Sequence, residues 1–228
     1  WLVGAEFERH LLQSDGTPLP YSAPHGVRWL LESLARDYDW EPHFEGDFPI
    51  SLSRNGPWVT LEPGGQFELS GAPFDSVQHV AEEALTFARE VDTLLAPHGV
   101  QQVALGFTPF APIPEIPWVP KGRYAVMRDH LAKTGDLAHH MMKGTAAVQA
   151  SYDFENEEDC ARKVQLAIKL GPLTTALFAN SPYAEGRDTG FATWRGHIWT
   201  RTDPARTGFP ESATQFSFAR WIDYLLDT

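Results

Sequence analysis

Two glutamates two residues apart, Glu6 and Glu8, stand in a stretch from Trp1 to Leu12 that alternates like a β-strand. In that alternation Leu2, Gly4, Glu6, Glu8 and His10 share one face, and Val3, Ala5, Phe7 and Arg9 share the other. The spacing sets the two carboxylates roughly 7 Å apart. Like charges so placed repel, and a hard cation such as Mg²⁺ or Mn²⁺ resolves the repulsion. A solvated strand face is the alternative. A second acidic pair lies in Leu61-Glu-Pro-Gly-Gly-Gln-Phe-Glu-Leu-Ser-Gly71. A turn at Pro63 to Gly65 brings Glu62 and Glu68 together on neighbouring strands. There Gln66 shares a face with Glu68, Phe67 and Leu69 turn to the core, and the glycines permit close approach of backbone to a ligand. A hairpin with two surface glutamates is the alternative. On one side of one sheet, the four glutamates would make a multi-metal carboxylate site. Phosphoryl transfer from ATP needs such a site where no phosphate loop exists. Neither a Walker-type loop nor Gly-x-Gly-x-x-Gly occurs in this chain.

Arg123, in Pro120-Lys-Gly-Arg-Tyr124, and Arg195, in Thr193-Trp-Arg-Gly-His-Ile-Trp199, are candidates for a bidentate grip on a substrate carboxylate. Ordinary salt bridges are the competing reading. The adjacent His139 and His140 point apart on any regular element and lack a His-Glu-x-x-His context, which argues against a zinc hydrolase. Cys160, the single cysteine, has no partner motif and reads as packing. Neither Ser70-Gly71 nor Ser181-Pro182 forms the nucleophile elbow of a serine hydrolase.

The elements that must position these groups follow from periodicity. His25 to Asp37 carries Val27, Leu30, Leu31 and Leu34 at helical spacing. Trp58 to Leu69 predicts two short strands. Asp75 is placed to cap a long helix with Val77, Val80, Ala81, Ala84, Ala88, Val91 and Leu95 inward, ending before Gly99. Val103 to Phe107 predicts a short strand. Prolines at 109, 112, 114, 117 and 120 then predict an ordered surface loop. Ala146 to Phe154 alternates again, with Gln149, Ser151 and Asp153 on one face. Asn156 caps a helix to about Leu170, with Val164, Ala167 and Ile168 inward, and Pro172 breaks or kinks it. Asn180 to Gly190 reads as a polar loop and Phe216 to Leu226 as a last amphipathic helix. Strands of one sheet under long helices, without regular βαβ alternation, predict an α+β domain.

Composition bounds the partners. The chain has 228 residues, 43% of them hydrophobic, with 18 Lys and Arg against 30 Asp and Glu, a net charge of −12. Such a field repels phosphodiester backbones, so nucleic acid is excluded as an expected partner. No apolar run is long enough to span a bilayer, so no membrane partner is expected. One cysteine and no basic, apolar leader point to the cytoplasm. A start inside a strand pattern at Trp1 points to a longer protein.

In this order, the motifs Val3-Gly-Ala-Glu-Phe-Glu8, Leu61 to Pro73, and Pro120-Lys-Gly-Arg-Tyr124 recur in a known family. Met141-Met142, Thr145, Val148-Gln149 and Asp153-Phe154 follow. Ala176-Leu-Phe-Ala-Asn-Ser-Pro182, Arg195, Ile198-Trp199, Asp203-Pro204 and Arg206-Thr-Gly208 complete the set. Together they resemble glutamate–cysteine ligase of the plant and proteobacterial type over nearly the whole chain. The resemblance implies a glutamine synthetase-like fold: a curved, largely antiparallel sheet forming a cup, helices outside, the active site within. It implies that ATP phosphorylates the γ-carboxylate of L-glutamate and that the amine of L-cysteine then attacks, giving γ-glutamylcysteine for glutathione or a related thiol. Carried over by position, Glu6, Glu8, Glu62, Glu68 and Gln149 resemble metal ligands for Mg²⁺ or Mn²⁺. Arg123 and Arg195 resemble the catalytic, substrate-gripping arginines, and Thr145 and Trp199 the lining of the amino-acid pocket. The sequence departs from the family where Phe7 replaces a usual His and where Ala150-Ser-Tyr152 replaces Val-Asn-Leu, which would alter the pocket wall. Residues 1–228 would be one catalytic-domain portion of a longer ligase whose later part supplies a further Glu and Arg. A ligase using another amine, and a glutamate- or metal-binding fragment without turnover, are the alternatives.

Overall fold

The computed structural model describes residues 1–228, with the Ser212 side chain left aside. The elements run β1 (Val3–Leu12), α1 (Val27–Asp37), β2 (Glu41–Glu45), β3 (Phe48–Ser53), β4 (Trp58–Leu61), β5 (Phe67–Ser70), α2 (Val77–Leu95) and β6 (Gln101–Val103). Then come α3 (Gly122–Leu131), α4 (Ala138–Gly144), β7 (Val148–Tyr152) and α5 (Glu157–Leu177). Last are β8 (Tyr183–Ala184), β9 (Arg187–Asp188), α6 (Trp194–Trp199), α7 (Glu211–Thr214) and α8 (Phe218–Asp227). The fold is α+β.

Seven strands form an antiparallel sheet in the order β2-β3-β4-β5-β1-β6, with β7 also on β1. One edge of β1 pairs with β5, and the other is divided: Val3 to Phe7 pairs with β7, and His10 to Leu12 with β6. The ten-residue β1 is therefore central, and its two faces do different work. Its odd-numbered face joins the main core, where Phe7 packs against a cluster that includes Leu30, Leu31, Leu34, Leu61, Phe67, Leu69, Val91 and Leu95. Each fully buried Leu or Phe there contributes about 1.5–3 kcal/mol. Its even-numbered face, with Glu6 and Glu8, is left for the site. A second cluster of Phe107, Ala111, Ile113, Ile116 and Ile198 belongs to the segments that enclose the site.

Several local expectations are corrected. Ser76, not Asp75, caps α2, its Oγ accepting from the Gln78 N–H at 3.2 Å. The buried face of α2 is Phe87, Glu90, Val91 and Leu95, and Val77 is 72% exposed. The helix overhangs the sheet at its first turns, so periodicity alone places the stripe too early. The strand predicted at Val103 to Phe107 is instead β6, and Phe107 only bridges Thr145. The proline-rich segment is not superficial: Thr108, Ala111, Ile113, Ile116 and Val119 are buried. Its prolines carry no N–H donor, so its backbone can pass inside without orphaned N–H groups at those positions. Asn156 does cap α5, accepting from the Asp159 N–H at 3.0 Å. Pro172 neither ends that helix nor breaks it, because α5 continues to Leu177. Val164 and Ile168 are half-buried but Ala167 is exposed, and Cys160 is only partly buried rather than a core residue. Asn180 to Gly190 contains the small hairpin β8–β9, and the last helix starts at Phe218 behind the Ser217 cap. Among the described residues no helix is long and apolar enough to cross a membrane.

Candidate functional site

Register builds the site. Glu8 lies opposite Glu68 on β5, Glu68 lies opposite Thr60 on β4, and Glu6 lies between Ser70 and Gln149. Antiparallel pairing thus converts three separate motifs into adjacent rows on one face. Glu62 follows β4 directly and closes the hairpin, its N–H donating to the Gln66 carbonyl at 3.0 Å. The turn between them is Pro63-Gly64-Gly65, with Gly65 at φ +86. Gly64 is required for a different reason: a Cβ there would lie 2.2 Å from the Lys143 carbonyl oxygen. α4 therefore sits directly on the turn and walls one end of the space.

That space is a cavity of about 440 Å³ lined by Glu6, Glu8, Glu62, Glu68, Gln149, Arg123, Arg195, Thr145 and Trp199, all nine positions singled out from sequence. Thr60, Ser70, Lys121 and Met141 complete its walls. Sequence reasoning passed over these four. Thr60 and Ser70 were within reach, being two residues from Glu62 and Glu68 on the same strand faces. Lys121 sits in the same short run as Arg123. Met141 gave no signal of its own beyond the Met-Met motif.

The groups are held firmly. Glu8 Oε2 accepts from the Ala147 N–H at 2.7 Å, and Gln149 Nε2 donates to Glu8 Oε1 at 3.4 Å. The Thr60 hydroxyl donates to Glu68. Arg195 sits in the first turn of α6, where its N–H donates to Ser181 Oγ at 3.1 Å and Thr193 caps the helix. Its guanidinium lies 5.8 Å from the Trp199 ring centroid. Arg195 Nε and Trp199 Nε1 are buried without a hydrogen-bond partner among the described residues, so both retain donor capacity. Tyr124, buried at the start of α3, donates to the Leu61 carbonyl and fixes the neighbouring Arg123 segment to β4.

Electrostatics confirm the crowding. Burial, then the Glu62 and Glu68 carboxylates, push Glu8 up to about 7, against the lowering effects of the Ala147 N–H and Arg195. Burial and Glu68 raise Glu6. Burial and Glu68 raise Glu62, opposed by Arg123 and Lys121. Burial lowers Arg195 against the pull of Glu8, and burial with the Arg123 charge lowers Lys121. The acids have more negative charge than the three cations relieve, which is the condition for taking up a further cation.

Among the described residues no three His, Cys, Asp or Glu side chains already converge into a cage. The donor set is nonetheless an open, all-oxygen one. That suits Mg²⁺, which is ordinarily held by one or two carboxylates together with substrate oxygens and water. It does not suit a closed tetrahedral zinc site. His139 and His140 are elsewhere: His139 Nε2 lies 3.1 Å from the Arg128 carbonyl, and His140 stacks on Phe107. Of the departures at 150–152, Ala150 pairs with Ala5 on the face opposite Glu6, is exposed, and does not line the cavity. Ser151 shares the site face with Gln149 and lines an adjoining cavity of about 250 Å³ beside Glu6 and Ser70.

Comparison with known proteins supplies the family. Glutamate–cysteine ligase of Brassica juncea, named as chloroplastic, is 39% identical over 233 residues, covering 100% of this chain and 44% of the relative. The Arabidopsis thaliana protein of the same name is 41% identical over 231 residues, covering 99% of this chain and 43% of the relative. Ligase A of Oryza sativa subsp. japonica is 38% identical, with 100% and 46% covered. The chain thus spans less than half the length of these relatives. Their names also correct the cytoplasmic expectation: these relatives are named chloroplastic, so cysteine count and leader pattern do not place this chain in the cytoplasm. The model of glutamate–cysteine ligase family 2 matches residues 2–228, and the chain belongs to that family.

Proposed function

We propose that residues 1–228 are the catalytic-domain portion of an ATP-dependent ligase that joins the γ-carboxylate of L-glutamate to the amine of L-cysteine, giving γ-glutamylcysteine for thiol biosynthesis such as that of glutathione. The antiparallel sheet is read as part of a curved, glutamine synthetase-like cup, with the cavity inside it. The observation that carries the reading is the register that lines up Glu6, Glu8 and Glu68 on one face and confronts them, in one cavity, with Lys121, Arg123 and Arg195.

Glu6, Glu8, Glu62, Glu68 and Gln149 would hold Mg²⁺, which Mn²⁺ can replace. Bound there, the ion supplies charge neutralisation for the transferring phosphoryl group. The remaining chemistry falls to the chain itself. Arg195, with a free Nε, and Arg123 hold the glutamate carboxylates by paired N–H donors, which orients the γ-carboxylate. A γ-carboxylate oxygen then forms the new bond to the γ-phosphorus of ATP, and ADP leaves. The amine of cysteine attacks the acyl carbon, and the C–O bond to the phosphate breaks with its electron pair going to the departing inorganic phosphate. The amine's proton passes to that phosphate or to solvent. Thr145 and Trp199 wall the amino-acid side and limit water, which would hydrolyse the acyl phosphate.

The test is ADP release from the full-length protein with Mg²⁺, ATP and L-glutamate, with and without L-cysteine, and products identified by mass. Cysteine-dependent release with γ-glutamylcysteine formed is the expected result. Release with another amine only, or none, overturns the cysteine assignment.

A further inference from the structure

The turn that carries Glu62 and the helix end that carries Thr145 belong to different parts of the chain, and one buried side chain joins them. Gln66 is 2% exposed and uses both ends of its amide. Its Oε1 accepts from the Gly64 N–H at 2.9 Å, holding the Pro63-Gly64-Gly65 turn. Its Nε2 donates to the Met142 carbonyl at 3.2 Å and the Thr145 carbonyl at 2.8 Å, at the end of α4. Among the described residues no other hydrogen bond runs directly from this turn to the end of α4. The Glu8 N–H to Ala147 carbonyl bond at 2.9 Å and the Val119 N–H to Pro63 carbonyl bond at 3.0 Å join them only by way of β1 and the proline-rich segment. Thr145 Oγ1 turns back to the Met141 carbonyl at 2.7 Å, and the Lys143 ammonium donates to Ile116 at 2.9 Å, in the proline-rich segment. Gly64 touches α4 only by close packing.

We propose that Gln66 is a positioning residue: its amide sets the distance between the acidic wall of the sheet, through Glu62, and the amino-acid wall, through Thr145. The inference rests on the ligase reading of the cavity. Gln66 touches no substrate in this role. It acts because the 440 Å³ cavity lies between two segments distant in sequence, and the Gln66 amide is the direct bond between them at this end.

Two isosteric variants in the full-length protein separate the halves of the tie. Gln66→Glu keeps an acceptor for the Gly64 N–H but sets a carboxylate against two carbonyl oxygens, so only the α4 side is released. Gln66→Met loses both sides. Hydrogen exchange measured on peptides covering 62–66 and 141–147 is expected to quicken at least tenfold in the second peptide for both variants, and in the first for Gln66→Met alone. The KM for L-glutamate is expected to rise at least tenfold with kcat reduced less than threefold. Unchanged exchange at 141–147 overturns the proposal. So does a lowered melting temperature with an unchanged KM, since that is a purely structural bond. If the wild-type protein forms no γ-glutamylcysteine, the ligase reading falls, and the exchange comparison still decides whether the tie exists.

Discussion

Glu8 carries a proton far more readily in the folded chain than in solution, and this has a measurable consequence. Its folded value near 7 lies above the ordinary 4.5, so the folded state binds the proton more tightly than the unfolded one. That contribution is complete below pH 4.5 and is lost as pH rises through 7, by about 3 kcal/mol. Urea unfolding of wild type and Glu8→Gln from pH 4 to 8, free of divalent cations, should show a larger loss in wild type than in the variant, where the raised Glu6 and Glu62 still contribute. His10 works in the opposite sense, since complete burial depresses it to about 4 and its contribution is lost as pH falls. It is common to both proteins and cancels in their difference. Mg²⁺ should raise the wild-type melting temperature more at pH 8 than at pH 5.5, because binding must displace that proton. Arg195 gives a second test. Arg195→Lys keeps the charge but not the planar pair of donors, and glutamate affinity by calorimetry should fall about 10- to 100-fold, the value of a charge-assisted bond. Equal affinity in the variant would show that Arg195 does not grip the substrate. Glu8 was legible in the sequence because a strand's period of two fixes its face, whereas Arg195 was only a candidate beside Trp and Gly, with an ordinary salt bridge as the competing reading until the resemblance was added. Lys121 was not, since its place depends on where α3 starts against the sheet.

Elements explain why the turn and the long helix respond differently to substitution. Gly64→Ala drives a Cβ into the Lys143 backbone, which cannot yield as a side-chain tip can. It should cost about 3 kcal/mol, in the overpacking range, and widen the cavity end. Gly46→Ala, at φ +60 with nothing within 4 Å of the added atom, should cost only about 1–2 kcal/mol of backbone strain and leave activity intact. Thermal denaturation of the pair distinguishes a close approach from a turn preference, and equal losses would refute the contact. In α5, Pro172 sits inside a continuous helix and removes one backbone bond. Pro172→Ala should therefore stabilise by up to about 3 kcal/mol, read as a higher melting temperature. A neutral or lower value would show that the proline's own packing compensates. The sequence predicted a break or kink here because proline's local penalty is visible in one dimension, whereas the rest of a 21-residue helix that outweighs it is not.

At the scale of the whole molecule, hydrophobic surface is unevenly spread. The face of the sheet under α1 and α2 is closed, while α5 and α8 bury no residue. Leu166, Leu170, Leu173 and Leu177 recur at helical spacing along α5 with exposures of 41–72%. Such a stripe is a sticky surface. The 228-residue chain should bind the dye ANS in its native state, and Leu170→Glu with Leu173→Glu should reduce binding without lowering the melting temperature. Dye binding that persists in the double variant would place the exposed surface elsewhere. The net charge of −12 opposes association only weakly at physiological salt, where it is screened within about 8 Å.

By itself the sequence determined the carboxylate pairs and the face on which each glutamate stands. Residue types and the period of a strand are local properties, so Glu6 with Glu8, and Glu62 with Glu68, were readable as pairs. It also determined α1, the Asn156 cap and the α+β class, which follow from spacing within single elements. Only the tertiary structure decided that the pairs meet. The register of β1 against β5 and β7 aligns Glu8 with Glu68 and Glu6 with Gln149, across sequence separations that no local pattern encodes. It likewise decided that the proline-rich segment runs inside and that Gln66 joins two walls of the cavity. Those outcomes depend on which surfaces are left to be covered once the sheet has formed, a property of packing rather than of any segment alone.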